Sequence, residues 1–159
     1  MIRAYREEDL AVVMDIANRA WRPIRKFARD TLGDTISDLM RPSGDDVSKG
    51  EEVRQQALTA PENFWVCEEN GQVVGFITFA LDEKCLGGEI LNNAADPDCG
   101  IKGIGQQMYK AVLDYFRCRG MRFVKVTTGL DEGHARARRA YERAGFDRSL
   151  QYLTYYKEL

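Results

Sequence analysis

The sequence is poor in the features that mark several common protein classes. It has one histidine, four prolines and two tryptophans among 159 residues. No segment approaches the roughly 20 apolar residues of a membrane-spanning helix, and Met1–Arg6 lacks the apolar stretch of a secretory signal. With 23 basic and 25 acidic residues, the chain has no positive excess to bind a phosphate backbone. We therefore expect a cytoplasmic protein with neither a nucleic-acid nor a membrane partner.

Cysteines are few and spaced without a known pattern. Cys67, Cys85, Cys99 and Cys118 match neither a CxxC pair nor a zinc site, so we expect reduced thiols and no metal. The length suits one domain of about 100–200 residues. Hydrophobic residues make up 44% and charged residues 30%, the balance of a soluble globular protein. We therefore interpret residues 1–159 as a single domain.

The hydrophobic pattern predicts strands alternating with helices. Predicted strands cover 2–5, 64–68, 72–81, 89–95, 123–128 and 150–156, and predicted helices cover about 10–21, 35–40, 47–58, 104–119 and 133–144. Pro23 is expected to end or kink the first helix, and Asn70-Gly71 predicts a tight hairpin. This order predicts an α/β protein, a mixed sheet with helices on its faces.

Three glycines occupy the connection between a predicted strand and helix, in the pattern Gly100-x-x-Gly103-x-Gly105. The first amides of a helix have no intrahelical partner and lie at the positive end of its dipole, so an anion can bind there. The spacing is the reverse of the dinucleotide fingerprint, and the P-loop Gly-Lys-Ser/Thr is absent. A diphosphate such as that of coenzyme A fits, and the alternative is a tight turn without a ligand.

Two segments carry a resemblance to a known family. Residues 88–97 followed by 100–105 resemble motif A of the GNAT N-acetyltransferases, whose pattern there is Q/R-x-x-G-x-G/A. Residues 135–146 resemble motif B, whose core is A-x-x-x-Y-x-x-x-G-F. Gly100 replaces the usual Gln or Arg, and His134 stands where Asn is frequent. The resemblance covers almost the whole chain and is weakest over about 22–60.

By this resemblance, the fold is GNAT-like, with a central, mostly antiparallel sheet, a splayed parallel pair of strands and flanking helices. The cosubstrate is acetyl-coenzyme A as acyl donor. Its arm is expected along the strand edge at Ala94, Ala95 and Asp96. The remaining expected cofactor contacts are Lys102, Gly103, Ile104, Gly105, Gln106, Gln107, His134 and Arg138.

The resemblance also implies three catalytic candidates. Tyr141 matches the tyrosine that protonates the coenzyme A sulfur, and its alternative role is that of a core aromatic residue. Glu89 matches a glutamate that serves as base in one branch, or it is a charged residue at a strand start. His134 has the side chain best suited to proton transfer near neutral pH, and it could instead position the cofactor or cap the last helix.

The predicted reaction is direct acetyl transfer to a primary amine of a small molecule, catalysed by an acetyl-coenzyme A-dependent N-acetyltransferase. The alternatives are a protein lysine or N-terminal acetyltransferase, and a noncatalytic acyl-coenzyme A-binding module. The stretch 21–60, by resemblance the acceptor side, mixes acidic and basic residues and does not decide between acceptors. Because many relatives pair, a homodimer is the default expectation.

Overall fold

The computed structural model describes all 159 residues. Its strands are β1 (Ile2–Ala4), β2 (Phe64–Glu69), β3 (Gln72–Asp82), β4 (Gly87–Ala95) and β5 (Phe123–Val126). Its helices are α1 (Leu10–Met40), α2 (Ser48–Thr59), α3 (Ile104–Cys118) and α4 (Ala135–Arg143), with short 3₁₀ turns at Glu7–Asp9, Pro61–Asn63 and Glu132–His134. None of these helices combines the length and the apolar character that crossing a bilayer requires.

The five strands form one sheet in chain order. All neighbouring pairs are antiparallel except β4 and β5, which run parallel. The β2–β3 hairpin turns at Asn70 and Gly71, both with positive φ of 53° and 76°, as a two-residue type I′ turn requires. The mixed, mostly antiparallel sheet flanked by helices confirms the predicted fold class.

Two hydrophobic cores lie on the two faces of the sheet. On one face, Met108, Val112 and Phe116 of α3 pack against strand residues such as Ile77 and Ile90. On the other face the apolar side of α1 meets β2 and β3, in a cluster that includes Val13, Ile16, Ala17, Phe64 and Phe76. Fully burying a side chain of this size contributes about 1.5–3 kcal/mol, so both helices are fixed to the sheet independently of any ligand.

Helix α1 continues well beyond the predicted end. Proline removes one helical hydrogen bond, yet the helix passes through Pro23, and the only residue in it with non-helical φ and ψ is Gly33, at φ 80°. The prediction that Pro23 ends the helix is wrong, and the break in α1 lies at Gly33 instead. The second half of α1 is held by tertiary contacts, because Arg25 bonds Glu52 of α2 and Arg29 bonds Asp45.

The predicted last strand, 150–156, is also wrong. Residues 147–159 form neither helix nor strand, although the pattern of large apolar residues is typical of a strand. A strand needs a neighbour for its backbone N–H and C=O groups, and no part of this chain pairs with the segment. The helix that precedes it ends as predicted, with Gly145 at φ 97° in the left-handed conformation that glycine favours at helix ends.

Candidate active site

A cleft opens between β4 and β5 where their pairing stops. The parallel ladder runs from Gly87 opposite Phe123 to Ile90 opposite Val126 and goes no further. Beyond Ile90, β4 continues to Ala95 paired only with β3. The side of β4 that faces β5 therefore offers unpaired backbone groups, as the resemblance led us to expect for the coenzyme arm.

A β-bulge lies where the two strands separate. Asn93 pairs with Ile77 and Ile90 with Phe79, so two residues of β4, Leu91 and Asn92, lie opposite the single residue Thr78 of β3. The amide of Asn92 donates to the Thr78 hydroxyl at 2.9 Å in place of a regular ladder bond. Because a bulge bends its strand and raises the local twist, it directs β4 away from β5.

Five consecutive amides at the start of α3 are free. The amides of Lys102, Gly103, Ile104, Gly105 and Gln106 make no hydrogen bond within the chain. The amide of Gln107 differs, since it donates to the carbonyl of Gly103 at 3.0 Å. The free amides begin just after β4, at the positive end of a 15-residue helix, which is the arrangement that binds phosphate.

The glycines leave this turn open. Gly100 and Gly103 have φ values of 68° and 85°, and a β-carbon added at either would meet no atom within 4 Å. Residues other than glycine rarely adopt this backbone conformation. A side chain at either position would project into the space above the amides. A diphosphate bound by backbone N–H groups fits such a surface, and the exposed Lys102 adds positive charge.

Arg19 of α1 fixes the loop that follows β4. Its guanidinium bonds Asp96 and Asp98, each at 2.6 Å, and Asp15 at 2.8 Å. The contact with Arg19 lowers the pKa of Asp96, although partial burial opposes the shift. The amide of Asp96 is also occupied, because it donates to the carbonyl of Val74 at 2.8 Å. Asp96 therefore anchors the loop, and its amide is not free for a ligand.

Tyr141 of α4 is joined to β4 through one asparagine. Asn93 donates from Nδ2 to the Tyr141 hydroxyl at 3.0 Å, and its Oδ1 accepts from the Tyr109 hydroxyl at 2.7 Å. In this arrangement the Tyr141 oxygen is an acceptor, so neither hydrogen bond of Asn93 uses the Tyr141 proton. The two tyrosine rings lie 5.2 Å apart between centroids.

Burial keeps both phenols protonated. Tyr141 is 8% exposed and also packs against Phe146, so it is a core residue as well as a candidate acid. Burial raises the pKa of Tyr141, and the neighbouring Asn93 amide and Tyr109 hydroxyl act in the opposite direction. Burial likewise raises the pKa of Tyr109. Tyr141 therefore holds a proton at neutral pH that it can donate.

His134 is oriented by a carboxylate. Its Nδ1 lies 2.5 Å from Asp131 Oδ2, and its amide donates to the same carboxylate at 3.2 Å. Burial opposes ionisation of Asp131, but the hydrogen bonds from His134 lower its pKa overall. With Nδ1 facing Asp131, the imidazole presents Nε2 outward. The pairing of an imidazole with an orienting carboxylate is a common arrangement for proton transfer.

Two other predicted residues are occupied by internal contacts. One nitrogen of Arg138 donates to the carbonyls of Gly129 and Asp131 at 2.6 and 2.8 Å, which clamps the loop before α4. Glu89 forms an ion pair with Lys125 on the neighbouring strand at 3.0 Å, within the part of β4 that is still paired with β5. The structure thus groups Tyr141 with Asn93 at the cleft. Glu89 lies outside the cleft, where β4 and β5 are still paired.

Acidic residues on the acceptor side are matched by basic ones. Arg29 contacts Asp34, Asp38 and Asp45 within 2.8 Å, and the remaining aspartates of this stretch, Asp30 and Asp46, pair with Lys26 and Arg22. Lys49 is 7% exposed, bonds Glu52 at 2.6 Å and lies 4.6 Å from the centre of the Trp21 ring. Burial lowers the pKa of Lys49. These contacts join α1 to α2 in one packed unit.

Three residues of the candidate site, Asn93, Tyr109 and Arg19, were not identified from the sequence. Asn93 and Tyr109 are 16 residues apart, and Asn93 and Tyr141 are 48 apart, so only the folded chain brings them together. Arg19 is 77 residues from Asp96. Nothing in the sequence distinguishes it from any other charged residue on a helix. The one available signal was the pair of asparagines between the apolar residues Ile90-Leu91 and Ala94-Ala95 of β4.

The cleft combines free amides at the start of α3, an unpaired stretch of β4 and the buried Tyr141. The GNAT acetyltransferase family model matches residues 21–146, and the chain belongs to that family. This confirms the resemblance inferred from motifs A and B.

A curated relative with a similar sequence is also named as an N-acetyltransferase. It is an uncharacterized N-acetyltransferase of Methanocaldococcus jannaschii, 33% identical over 91 residues. The match covers 54% of this chain and 39% of that protein, so the chain spans well under half of the relative's length.

Solved structures share the fold. The BH1408 protein of Bacillus halodurans, crystallised as a tetramutant, superposes with a TM-score of 0.74 at 16% identity, covering 99% of both chains. The PaiA N-acetyltransferase of Thermoplasma acidophilum, solved in complex with coenzyme A, gives 0.68 at 17% identity, covering 92% of this chain and 89% of that one.

Proposed function

We propose that this protein transfers an acetyl group from acetyl-coenzyme A directly to a primary amine of a small molecule. The observation that carries the proposal is the Tyr141 hydroxyl, which is buried at the β4–β5 cleft and accepts a hydrogen bond from Asn93. Its proton is thereby left for a leaving group. Family membership supports the reaction class, and the contacts below support the roles of individual residues.

The donor is held mainly by backbone groups of α3 and β4. The amides from Lys102 to Gln106 bind the diphosphate, since they are free and lie at a helix N-terminus. The unpaired side of β4 near Ala94 and Ala95 binds the coenzyme arm as an added strand would. His134 and Arg138 retain their proposed roles beside the donor, with Arg138 also ordering the loop that carries His134.

Transfer requires three proton movements. The acceptor ammonium must first lose a proton, because only the free amine has a lone pair for attack. As the amine nitrogen bonds the acetyl carbon, the carbon–sulfur bond breaks and the sulfur leaves with the electron pair. The nitrogen then releases a second proton to solvent, which leaves a neutral amide. Tyr141 donates its hydroxyl proton to that sulfur and regains one from solvent. General acid catalysis of this kind contributes typically 10²–10⁴-fold.

His134 is the better supported of the two candidate bases. Asp131 contacts Nδ1, so Nε2 is the nitrogen left to accept a proton. Glu89 is bound to Lys125 in the paired part of the sheet, where its carboxylate is already engaged. We therefore assign the proton acceptor to His134 and a structural ion pair to Glu89.

The packing of the acceptor side supports a small acceptor. Helices α1 and α2 are cross-linked through Glu52, which bonds both Arg25 and Lys49, and Lys49 covers Trp21. A closely packed wall of this kind suits a compact amine better than an extended polypeptide. A protein lysine or N-terminus is the alternative acceptor that the experiment must address.

Thiol release from acetyl-coenzyme A tests the proposal. Wild type and Tyr141→Phe are assayed with polyamines, amino acids, aminoglycosides, and peptides that offer a lysine or an N-terminus. We expect turnover with one class of small amine and a large loss of kcat in Tyr141→Phe, with donor affinity retained. Turnover confined to peptides would overturn the acceptor class, and full activity of Tyr141→Phe would overturn the acid.

Donor binding is tested separately by thermal unfolding. A ligand that binds only the folded state adds about 2.7 kcal/mol of stability at 100 times its Kd. For a domain of this size, that corresponds to a rise in Tm of roughly 5–10 °C. A protein that shows no shift with saturating acetyl-coenzyme A is not an acetyltransferase of the kind proposed.

A further inference from the structure

Two largely buried cations on the acceptor side share a single carboxylate. Arg25 of α1 donates through Nη2 to Glu52 of α2, and Lys49 donates to the same carboxylate at 2.6 Å. Neither cation has another ion-pair partner in the chain. The side chain of Lys49 is 8% exposed and that of Arg25 is 17% exposed, whereas Glu52 is 48% exposed. The group therefore has an excess of positive charge where solvent cannot fully compensate it, and buried charges are normally paired.

Most of the hydrogen-bond donors of these two cations are unused. A guanidinium has five N–H donors and an ammonium has three. Arg25 makes one hydrogen bond within the chain, and its Nε is buried without a partner. Lys49 also makes one, and its Nζ otherwise lies over the Trp21 ring, 4.6 Å from the centre. Water can accept from such donors, but only an anion also balances the charge, and hydrogen bonds between charged groups are the stronger ones.

The face of α2 that carries Lys49 and Glu52 is bonded to β4 at the edge of the cleft. Lys49, Glu52 and Gln56 recur at helical spacing, so they lie on one face of α2. Gln56 accepts from the side chain of Asn92 at 2.9 Å. Because Asn92 belongs to the bulge where β4 leaves β5, this contact places the face of α2 over the opening of the cleft.

On the α1 side, Arg25 adjoins the turn that carries the proposed base. The preceding residue, Ile24, would lie 3.1 Å from a β-carbon added at Gly133, and Gly133 directly precedes His134. The two cations are thus carried by elements that contact both the bulge of β4 and the turn with His134. They form part of the wall that an acceptor meets on its way to the cleft.

We propose that Arg25 and Lys49 bind a carboxylate of the acceptor, so that the acceptors are small amino acids with a primary amine and a carboxylate in one molecule. This inference rests on the proposed function and selects one class among its small amines. The planar guanidinium of Arg25 matches a carboxylate, and Lys49 adds a point charge beside it. Two cations then face two carboxylates, and the charges balance.

The same charge argument excludes other small amines. Polyamines and aminoglycosides are polycations without a carboxylate, so they bring only positive charge to a place that already has an excess of it. A carboxylate held by α1 and α2 also orients the acceptor, because it leaves the amine as the end that can reach β4 and His134. Charge at this position therefore decides both which amine binds and which end of it reacts.

Matched pairs of acceptors test the carboxylate contact. A series of amino acids with increasing separation between amine and carboxylate is assayed against the corresponding carboxamides, which keep the shape and lose the charge. Thiol release gives kcat/KM for each, corrected for the fraction of free amine. We expect wild type to favour the best amino acid over its carboxamide by roughly 10- to 150-fold, the factor that a hydrogen bond to a charged group provides. Polyamines and aminoglycosides should be poorer acceptors than that amino acid.

Substitution of Arg25 assigns the preference to this pair. Arg25→Gln should lower the ratio at least tenfold, mainly through a higher KM for the amino acid, and Arg25→Lys should retain part of it. Arg54→Gln removes another arginine of α2, one that pairs only with Glu51, and is the matched control that should keep the ratio. A general folding defect lowers both rates equally and leaves the ratio unchanged. If circular dichroism shows Arg25→Gln to be unfolded, Lys49→Gln replaces it in the same measurement.

The outcomes separate this inference from the proposed function. Turnover of small amines without a preference for carboxylates would overturn the inference and leave the proposed function standing. An unchanged ratio in folded Arg25→Gln would do the same. A higher Kd for acetyl-coenzyme A in Arg25→Gln, with the acceptor ratio unchanged, would assign the two cations to the donor and also overturn it. Absence of turnover with every small amine would overturn the proposed acceptor class, and the amino acid with it.

Discussion

The role of Asn93 can be reversed by exchanging one heavy atom of its side chain. As an amide, it donates to the Tyr141 hydroxyl and accepts from Tyr109. The substitution Asn93→Asp gives an ionised carboxylate, which can only accept. Tyr141 must then donate its proton to Asp, and that proton is no longer free for the leaving sulfur. Both carboxylate oxygens still have a phenol partner, so the fold should tolerate the change.

The size of the effect follows from the strength of the new bond. A hydrogen bond to a charged group is worth about 1.5–3 kcal/mol, and this bond must break before Tyr141 can protonate the sulfur. At 1.36 kcal/mol per tenfold in rate, kcat should fall by roughly 10- to 150-fold. The affinity for acetyl-coenzyme A should change little, because the free amides of α3 are unaffected.

The assay is steady-state thiol release with the best acceptor from the panel, alongside calorimetric titration of the donor. Tyr109→Phe is the matched control, since it removes a bond to the same asparagine and leaves the Asn93–Tyr141 bond intact. It should keep kcat within a few-fold. Combining Asn93→Asp with Tyr141→Phe should cost no more than Tyr141→Phe alone, because both changes remove one proton donor. Wild-type turnover in Asn93→Asp would refute the reasoning.

Three further outcomes follow from the same structure. Gly103→Val, at a φ of 85°, should cost about 1–2 kcal/mol of stability and raise the Kd for acetyl-coenzyme A by well over tenfold in calorimetry. Arg19→Ala should weaken donor binding several-fold by releasing the loop it anchors, whereas Lys110→Ala, which breaks only an exposed pair, should not. The pKa of Asp131 is lowered by its bonds with His134, against the effect of burial, so its carboxylate stabilises the fold above about pH 4. That contribution is lost as the pH falls through the lowered value. In urea titrations, the difference between wild type and Asp131→Asn should therefore be greatest near neutral pH and vanish in acid; a difference independent of pH would contradict this.

Features set by local chemistry were predictable from the sequence. The Asn70-Gly71 hairpin depends on two residues that accept positive φ. The open turn at Gly100 and Gly103 has the same origin, and the apolar stripe of α3 follows from helical spacing. In each case the residues that decide the structure are within a few positions of it.

Features set by distant partners were not predictable. Pro23 disfavours a helix locally, but contacts between the second half of α1 and α2 maintain one. The 150–156 segment has the pattern of a strand, yet in the folded chain it pairs with no other strand. The same limit applies to the site, because the partners of Tyr141 become evident only once β4, α3 and α4 are assembled.

The bulge in β4 accounts for the side on which Asn93 lies. In a regular strand, side chains alternate between faces, so Asn93 would lie opposite Ile90. The extra residue at Leu91–Asn92 shifts that alternation by one. Asn93 therefore shares the face of Ile90, where it contacts Tyr109 and Tyr141, while Asn92 contacts Gln56 of α2 on the other face.

Deleting one residue tests whether the bulge also opens the cleft. Removal of Leu91, which is 39% exposed, brings Asn92 opposite Thr78 and leaves Asn93 on its present face. The strand then loses the bend that a bulge imposes, so β4 and β5 can stay paired beyond Ile90 and the unpaired edge disappears. We expect a folded protein whose Kd for acetyl-coenzyme A rises more than tenfold, measured by calorimetry. Leu91→Ala keeps the bulge and should bind the donor as wild type does. A deletion variant that binds equally well would show that the separation of the two strands has another cause.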